Sequence, residues 1–312
     1  MNRRNWLAAV AIIAVAAPLL GSCERKPQPV KIGLAVANLQ ADFFNQIKQS
    51  VEAAGAAQGI QVVTVDAKGD GATQVSQVQD LVNQNIKALI YIPAGAAAAA
   101  APVKIAKDAG IPVVTVDRNP DGAAGDTFIA TNSVAASKAL GDWVCKATGG
   151  QAKVAIIQGQ IGTTPEIDRD TGFKQAMAAC PGLKEVAREA SKMWMKDEGF
   201  NIAQNMLQRD PSIQVFFGHA DALALGAAQA AKSANVGHKV WAVGFDGDPA
   251  ALEAVRDGAL DATMTQRTQL MGSLAFQSAM DLIGGKAPPK VQYQDATLTT
   301  KDNAAQFIAK HP

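Results

Sequence analysis

Two short runs of this 312-residue sequence end in groups suited to binding a ligand. Residues 111–122, IPVVTVDRNPDG, begin as a β-run suited to burial on both faces that delivers Asp117 and Arg118 at its end, and residues 239–249, KVWAVGFDGDP, repeat the pattern with Asp246. A carboxylate accepts two hydroxyl hydrogens at once and a guanidinium donates a planar fork to two oxygens, so Asp and Arg together clamp neighbouring hydroxyls of a polyol. Aromatic faces supply the complement: Phe43, Phe44 and Trp194 are candidates to cover the C–H faces of a small ring while closure excludes water. Asn38 and Gln40 follow the run KIGLAVA, and His219 follows IQVFFG, so they too stand where a strand gives out. Plainer readings compete: Asp117 as a strand-end turn residue paired with its neighbour, and His219 as a helix-capping or surface histidine.

A βα repeat has to position these groups. The runs VKIGLAVA, IQVVTVDA, KALIYIP and IPVVTVD alternate with helical segments near 43–58, 73–85 and 102–109. After DTFIATN the pattern restarts, with AKVAIIQG, LKEVAREA, IQVFFGH and KVWAVGFD alternating with helices near 133–146, 166–179, 199–208 and 221–234. Near-continuous hydrophobic strands need helices on both faces, which is the α/β class with parallel sheets. The alanine run at 96–101 reads as an ordered loop and helix start, because Pro102 suits a first helical turn and alanine is the best helix former. No second linker rich in Gly, Ser or Pro separates the halves, so two similar lobes joined by short crossings, and hence a hinge, are expected. Ligands of open parallel sheets bind beyond the carboxyl ends of the strands. The strands therefore act as rulers that carry charged tips to one crevice between the lobes.

Composition narrows the function. The chain is 48% hydrophobic and 18% charged, an ordinary globular balance, and its formal net charge of +1 without a Lys/Arg block gives no footprint for nucleic acid. Arg3 and Arg4 precede an apolar run from Trp6 to Leu20, which reads as a secretion signal over 1–22. Cys23, after Gly21 and Ser22, resembles the lipobox cysteine of bacterial lipoproteins, which implies cleavage before it and a lipid on its sulfur; the alternative is an incidental cysteine beside an ordinary cleavage site. Residues 23–29 then form a lipid-anchored polar tether. In an exported chain the remaining Cys145 and Cys180 are expected to bridge, closing a loop worth roughly 3 to 4 kcal/mol; the alternative is two buried thiols. Neither has an adjacent His or a CxxC spacing, so neither is expected to hold metal or act as a nucleophile.

In combination, ADFFNQIKQSVEAAG, IPVVTVDR, GTTPEIDRDTGF, VFFGHADALALGA and VGFDGDP resemble the periplasmic sugar-binding proteins of the ribose and galactose group, which feed ABC transporters. The resemblance covers essentially the whole chain after Val30. It implies two Rossmann-like lobes, 30–131 with 271–296 and 132–270 with 297–312, joined by three crossings near 131–132, 269–272 and 295–299. It implies that Phe43, Phe44 and Trp194 sandwich a sugar, that Asp117, Arg118, Arg169 and Asp246 hydrogen-bond its hydroxyls, and that Gln266 or Gln269 adds a contact near the hinge. The implied partners are a small sugar or polyol, an ABC permease and, through Cys23, a membrane, with no cofactor, no metal and a monomeric chain at the periplasmic or cell surface. Ala41, Ile92 and Ala220 depart from the pattern, standing where ribose binders carry asparagine. A buried hydroxyl without a partner costs about 1 to 3 kcal/mol, which points away from ribose, either to contacts from Asn38, Gln40 and His219 or to a smaller or less hydroxylated polyol.

Other function classes fit less well. An enzyme is disfavoured because the chain has no GxGxxG, P-loop, HExxH or GxSxG and only three histidines. The lactose-repressor family shares the two-lobed fold, but a secretion signal occupies the place of its helix-turn-helix. A sensory protein that hands its ligand to a chemoreceptor or membrane kinase remains the alternative to transport.

Overall fold

The structure, a computed structural model, describes residues 29–312. The leader, Cys23 and the tether as far as residue 28 lie outside the described residues. In the first half the order is β1 (Lys31–Val36), α1 (Asp42–Ala57), β2 (Gln61–Asp66), α2 (Gly71–Asn83), β3 (Ala88–Tyr91), α3 (Ala100–Asp108), β4 (Val113–Val116) and β5 (Thr127–Thr131). The second half runs α4 (Ser133–Ala147), β6 (Ala152–Gln158), α5 (Thr164–Ala179), β7 (Leu183–Ala190), α6 (Lys196–Arg209), β8 (Val215–Gly218), α7 (Asp221–Ala234), β9 (Trp241–Asp246), α8 (Pro249–Asp257) and β10 (Ala262–Thr265). The chain ends with α9 (Thr268–Ile283), β11 (Val291–Gln294), β12 (Thr297–Thr299) and α10 (Ala304–Ala309).

These strands form two six-stranded sheets of the same winding, β2-β1-β3-β4-β5-β11 and β7-β6-β8-β9-β10-β12. All pairings are parallel except β12 against β10. Central strands such as β3, β4 and β8 are buried at every residue, which is why their sequences are apolar apart from Thr115, whose hydroxyl donates to Asn119 and to the carbonyl of Thr127. The edge strand β7, LKEVAREA, is largely open to solvent and accordingly carries charged residues along its length. In each sheet the strand order reverses direction beside the first strand of its half, β1 or β6, so a crevice opens there at the carboxyl ends.

The chain passes between the sheets at 131–133, 266–267 and 295–296. The middle crossing lies ahead of the 269–272 expected from the sequence. By Thr268 the chain has already entered α9, which packs on α1 of the first sheet so closely that a Cβ on Gly272 would lie 2.5 Å from Cβ of Ser50. Residues 268–270 thus travel with the first lobe. Cys145 and Cys180, at the ends of the packed helices α4 and α5, are joined by a disulfide with their Cα atoms 6.3 Å apart.

Candidate functional site

In the first lobe, β4 delivers Asp117 and Arg118 through a turn that few residues tolerate. Asp117 has φ 61°, its N–H donates to the carbonyl of Ile129, and the N–H of Arg118 donates to Val116 O at 2.6 Å, closing a three-residue turn around the aspartate. Aspartate is one of the few side chains at home in left-handed backbone. The turn folds the guanidinium of Arg118 back onto the carbonyls of Pro93 (2.9 Å) and Ala94 (3.2 Å), with Nε 3.5 Å from Asp117 Oδ2. Phe44 faces this guanidinium at 5.3 Å and meets Phe43 edge-to-face at 5.2 Å.

In the second lobe Arg169 rises from α5. Its Nη1 lies 3.2 Å from Asp246 Oδ1 and donates to the carbonyl of His219, while its guanidinium lies 4.0 Å from the ring of Phe245. Asp246, at φ 133°, ends β9. Two neighbours hold it there: Gln266 Nε2 donates to its Oδ1 at 2.7 Å, and Asp221 accepts the N–H groups of Gly247 and Asp248 and the hydroxyl of Thr263. Trp194, φ 63°, presents its indole within 5.6 Å of Arg118 and 5.7 Å of Arg169. Six non-glycine residues have positive φ among the described residues, and three of them, Asp117, Trp194 and Asp246, meet at this one place. Backbone strain of this kind persists only where the surroundings over-determine it.

Between the lobes lies a cavity of about 230 Å³, lined from both sides. Across its rim the lobes touch, the N–H of Asn119 donating to Thr164 Oγ1 at 3.0 Å, so the arrangement is closed. Of the residues singled out in the sequence, Gln40, Phe43, Phe44, Asp117, Arg118, Arg169, Trp194 and Asp246 line the cavity. Four do not. Asn38 is buried and spends its Oδ1 on the N–H of Gln40, a local turn. Gln266 is fully buried behind Asp246, where it also accepts from Thr131 Oγ1 at 2.5 Å and so ties the site to two crossings. Gln269 is exposed on α9, its backbone N–H bonded to Pro312 O. His219 is neither a cap nor at the surface: it is fully buried beneath Arg169, its ring 5.0 Å from Phe217, and neither ring nitrogen has a protein partner.

Three charged lining residues escaped the sequence reading: Asp42, Lys196 and Asp248. Asp42 opens α1 inside ADFFNQIKQSVEAAG beside the two phenylalanines, Lys196 opens α6 outside any motif, and Asp248 sits inside GFDGDP and reads there as an ordinary turn aspartate before proline. Ala41 and Ala220 line the cavity, so the missing amides leave it less polar; Ile92 is buried away from it.

The electrostatics follow from burial. Burial raises Asp117, against the pull of Arg118 and Arg169, and burial with the nearby Asp221 and Asp117 lifts Asp246 to about 7 despite Arg169. Burial, reinforced by Arg169, pushes His219 down to about 3, so its imidazole is neutral at ordinary pH. Nε of both arginines and the indole N–H of Trp194 are buried without an acceptor in the protein. The cavity thus offers carboxylates and unspent N–H donors between aromatic walls, which is the chemistry of hydroxyl recognition. Among the described residues no group of three His, Cys, Asp or Glu is placed to hold a metal ion, and no helix is long and apolar enough to cross a membrane.

Residues 32–287 match the family described as periplasmic binding protein domain. The ribose import binding protein of Bacillus subtilis is 33% identical over 270 residues, covering 86% of this chain and 87% of that protein. An ABC transporter solute binding protein from Bacillus halodurans with bound myo-inositol superimposes with a TM-score of 0.85 at 26% identity, covering 92% of this chain and 100% of that one. Another, from Mycobacterium smegmatis with bound glycerol, gives 0.85 at 29% identity over 90% of this chain and 97% of that one.

Proposed function

The chain belongs to the periplasmic binding protein family, and from that premise we propose that it captures a monosaccharide or related polyol between its lobes and delivers it to an ABC transporter permease. The observation that carries this reading is the two-sided lining of the cavity. Asp117, Arg118 and the Phe43–Phe44 pair come from the first lobe, and Arg169, Asp246 and Trp194 from the second. Neither lobe alone surrounds a ligand, so binding energy is gained only on closure, and the closed surface is what a permease recognises. Relatives and structural neighbours named for or bound to ribose, myo-inositol and glycerol support a polyhydroxyl ligand. Alanine at 41 and 220 supports one that differs from ribose, because two hydroxyl partners are gone. Asp117, Arg118, Arg169 and Asp246 hold hydroxyls in this reading, and the aromatic rings cover the carbon skeleton. The leader and Cys23 support export and a lipid anchor, which intact-mass measurement of wild type and Cys23→Ala from membranes will test.

A thermal-shift screen of the domain from residue 29 against pentoses, hexoses, deoxy sugars and polyols tests the binding reading. A ligand at a hundredfold excess over its Kd stabilises the folded form by about 2.7 kcal/mol. A hit that Asp246→Ala eliminates supports the reading. A hit indifferent to Asp117 and Asp246 refutes the assignment of the cavity.

A further inference from the structure

The two ion pairs of the cavity leave two lining acids over, the exposed Asp42 and the half-buried Asp248. Asp248 lines the cavity half-buried, and among the described residues its carboxylate makes no hydrogen bond and no ion pair. It occupies the N-cap of α8, where an aspartate ordinarily accepts an N–H of the first helical turn, yet it makes no such bond. The turn before α8 is held instead by Asp221, which accepts the N–H groups of Gly247 and of Asp248 itself. Asp246, Asp221 and Asp42 press on Asp248 with like charge, and Arg169 opposes them. Arg169 is already engaged by Asp246 at 3.2 Å and by the carbonyl of His219. Lys196, the remaining cation of the lining, is exposed at the rim. Burial and these like charges hold Asp248 well above the usual carboxylate range. Meanwhile Arg118 and Arg169, 5% and 3% exposed, each keep a buried Nε without an acceptor. The cavity therefore calls for oxygens at its arginines and a positive donor at Asp248.

We propose that the ligand is an amino-substituted polyol, cyclic or open-chain, whose ammonium group seats against Asp248 while its hydroxyls engage the two arginine–aspartate pairs. This rests on the polyol reading of the same cavity. An ammonium is a compact charge with three donors, so it satisfies Asp248 and offsets the repulsion from Asp246, Asp221 and Asp42 in one contact. A neutral sugar brings only a hydroxyl, so Asp248 has to take up a proton to relieve the repulsion and no charge pair is gained.

Calorimetry at pH 7.5 with matched pairs tests the proposal: D-glucosamine and D-glucose, D-galactosamine and D-galactose, glucamine and sorbitol, serinol and glycerol. In at least one pair the amine is expected to bind at least tenfold more tightly than its neutral partner. In Asp248→Asn and Asp248→Ser, both able N-cap residues and both checked for an unchanged thermal transition, that ratio is expected to fall to within threefold of unity. Neutral members that bind as tightly as their amines in every binding pair overturn the proposal and leave the polyol reading standing. An amine preference that survives both substitutions overturns the role of Asp248. Failure of every member to bind counts against both readings.

Discussion

Trp194 depends on a residue that need not touch any ligand. Gly159, directly after β6, lies against the indole, and a Cβ built on it would stand 1.8 to 2.1 Å from three ring carbons. Carbon atoms in contact sit about 3.5 to 4 Å apart, so in Gly159→Ala the ring has to move by roughly 2 Å. The backbone of β6 cannot yield instead, because it is paired to β7 on one side and β8 on the other. The indole then leaves the guanidinium groups of Arg118 and Arg169 and uncovers the cavity. A buried aromatic contact at the centre of a binding site is worth about 1 to 3 kcal/mol, so Kd is expected to rise about 5- to 150-fold. Calorimetry on wild type, Gly159→Ala, Trp194→Ala and the double variant, with the ligand found by thermal shift, closes a mutant cycle. If the glycine acts through the indole, its substitution costs nothing further once Trp194 is gone. Ligand-induced quenching of fluorescence should vanish in parallel in the domain from residue 29, because its other tryptophans, Trp143 and Trp241, meet edge-to-face at 5.9 Å away from the cavity. A Gly159→Ala protein that binds within threefold of wild type, or a loss that adds in full to that of Trp194→Ala, refutes the reasoning.

Asp117→Asn keeps the left-handed turn at φ 61° but removes the counter-charge of buried Arg118, and binding is expected to weaken at least tenfold with the fold intact by circular dichroism; retention within threefold makes Asp117 a turn residue only. Gln266→Leu frees Asp246 from its 2.7 Å bond, and calorimetry should show about 1 to 3 kcal/mol of lost affinity, whereas unchanged binding reduces Gln266 to core filling. His219 titrates at about 3 in the folded protein against 6.5 unfolded, so the stability it confers is present above pH 6.5 and lost as pH falls toward 3, about 3 kcal/mol by pH 4.5. The aspartates raised by burial act in the opposite sense but are shared by His219→Asn; urea titrations should show wild type losing that margin over the variant between pH 7.5 and 4.5, and a margin independent of pH refutes the assignment. Small-angle scattering should give a smaller radius of gyration with saturating ligand than without, and an unchanged radius favours a static pocket over a hinge.

The parallel class of both sheets was legible because strands buried on both faces read as near-continuous apolar runs, as in ALIY of β3 and VFFG of β8, whereas the strand order within each sheet was not. From parallel strands it follows that tips such as Asp117 and Asp246 share one side of the molecule. The direction of a side chain at the tip is a separate matter, set by one or two backbone angles. His219 illustrates the signal that was available: it lies two residues after Phe217, hence on the same face, and Phe217 stacks on Phe173 of α5 at 4.2 Å. Alternation puts the imidazole on the face of Phe217, and the structure places that face under α5 and not in the crevice. Asn38 turned to its own backbone for the reason asparagine usually does, a partner two residues on. Nothing local in the sequence marks Asp248, whose unused cap is visible only once Asp221, far back in the chain, is seen to hold the turn.

Gln266 connects recognition to motion. It lies on the middle crossing, accepts a hydrogen bond from Thr131 at the first crossing, and donates to the carboxylate of Asp246 in the cavity. With Asp246 also held by Arg169, the orientation of one carboxylate is shared between a ligand-facing cation and the two chain segments that must bend if the lobes part. A ligand hydroxyl or ammonium that draws on Asp246 therefore acts on the same hydrogen-bond chain that fixes the hinge, and it does so only in the closed form, where Asp117 and Arg118 reach it from the other lobe. Differential contact of that kind is what a ligand needs to shift an open and closed equilibrium. Removing Thr131 Oγ1 by Thr131→Val tests the link: ligand affinity should fall although the side chain lies outside the cavity lining, and an unaltered affinity would mean that Asp246 is held by Arg169 alone and that the crossings bend independently of the site.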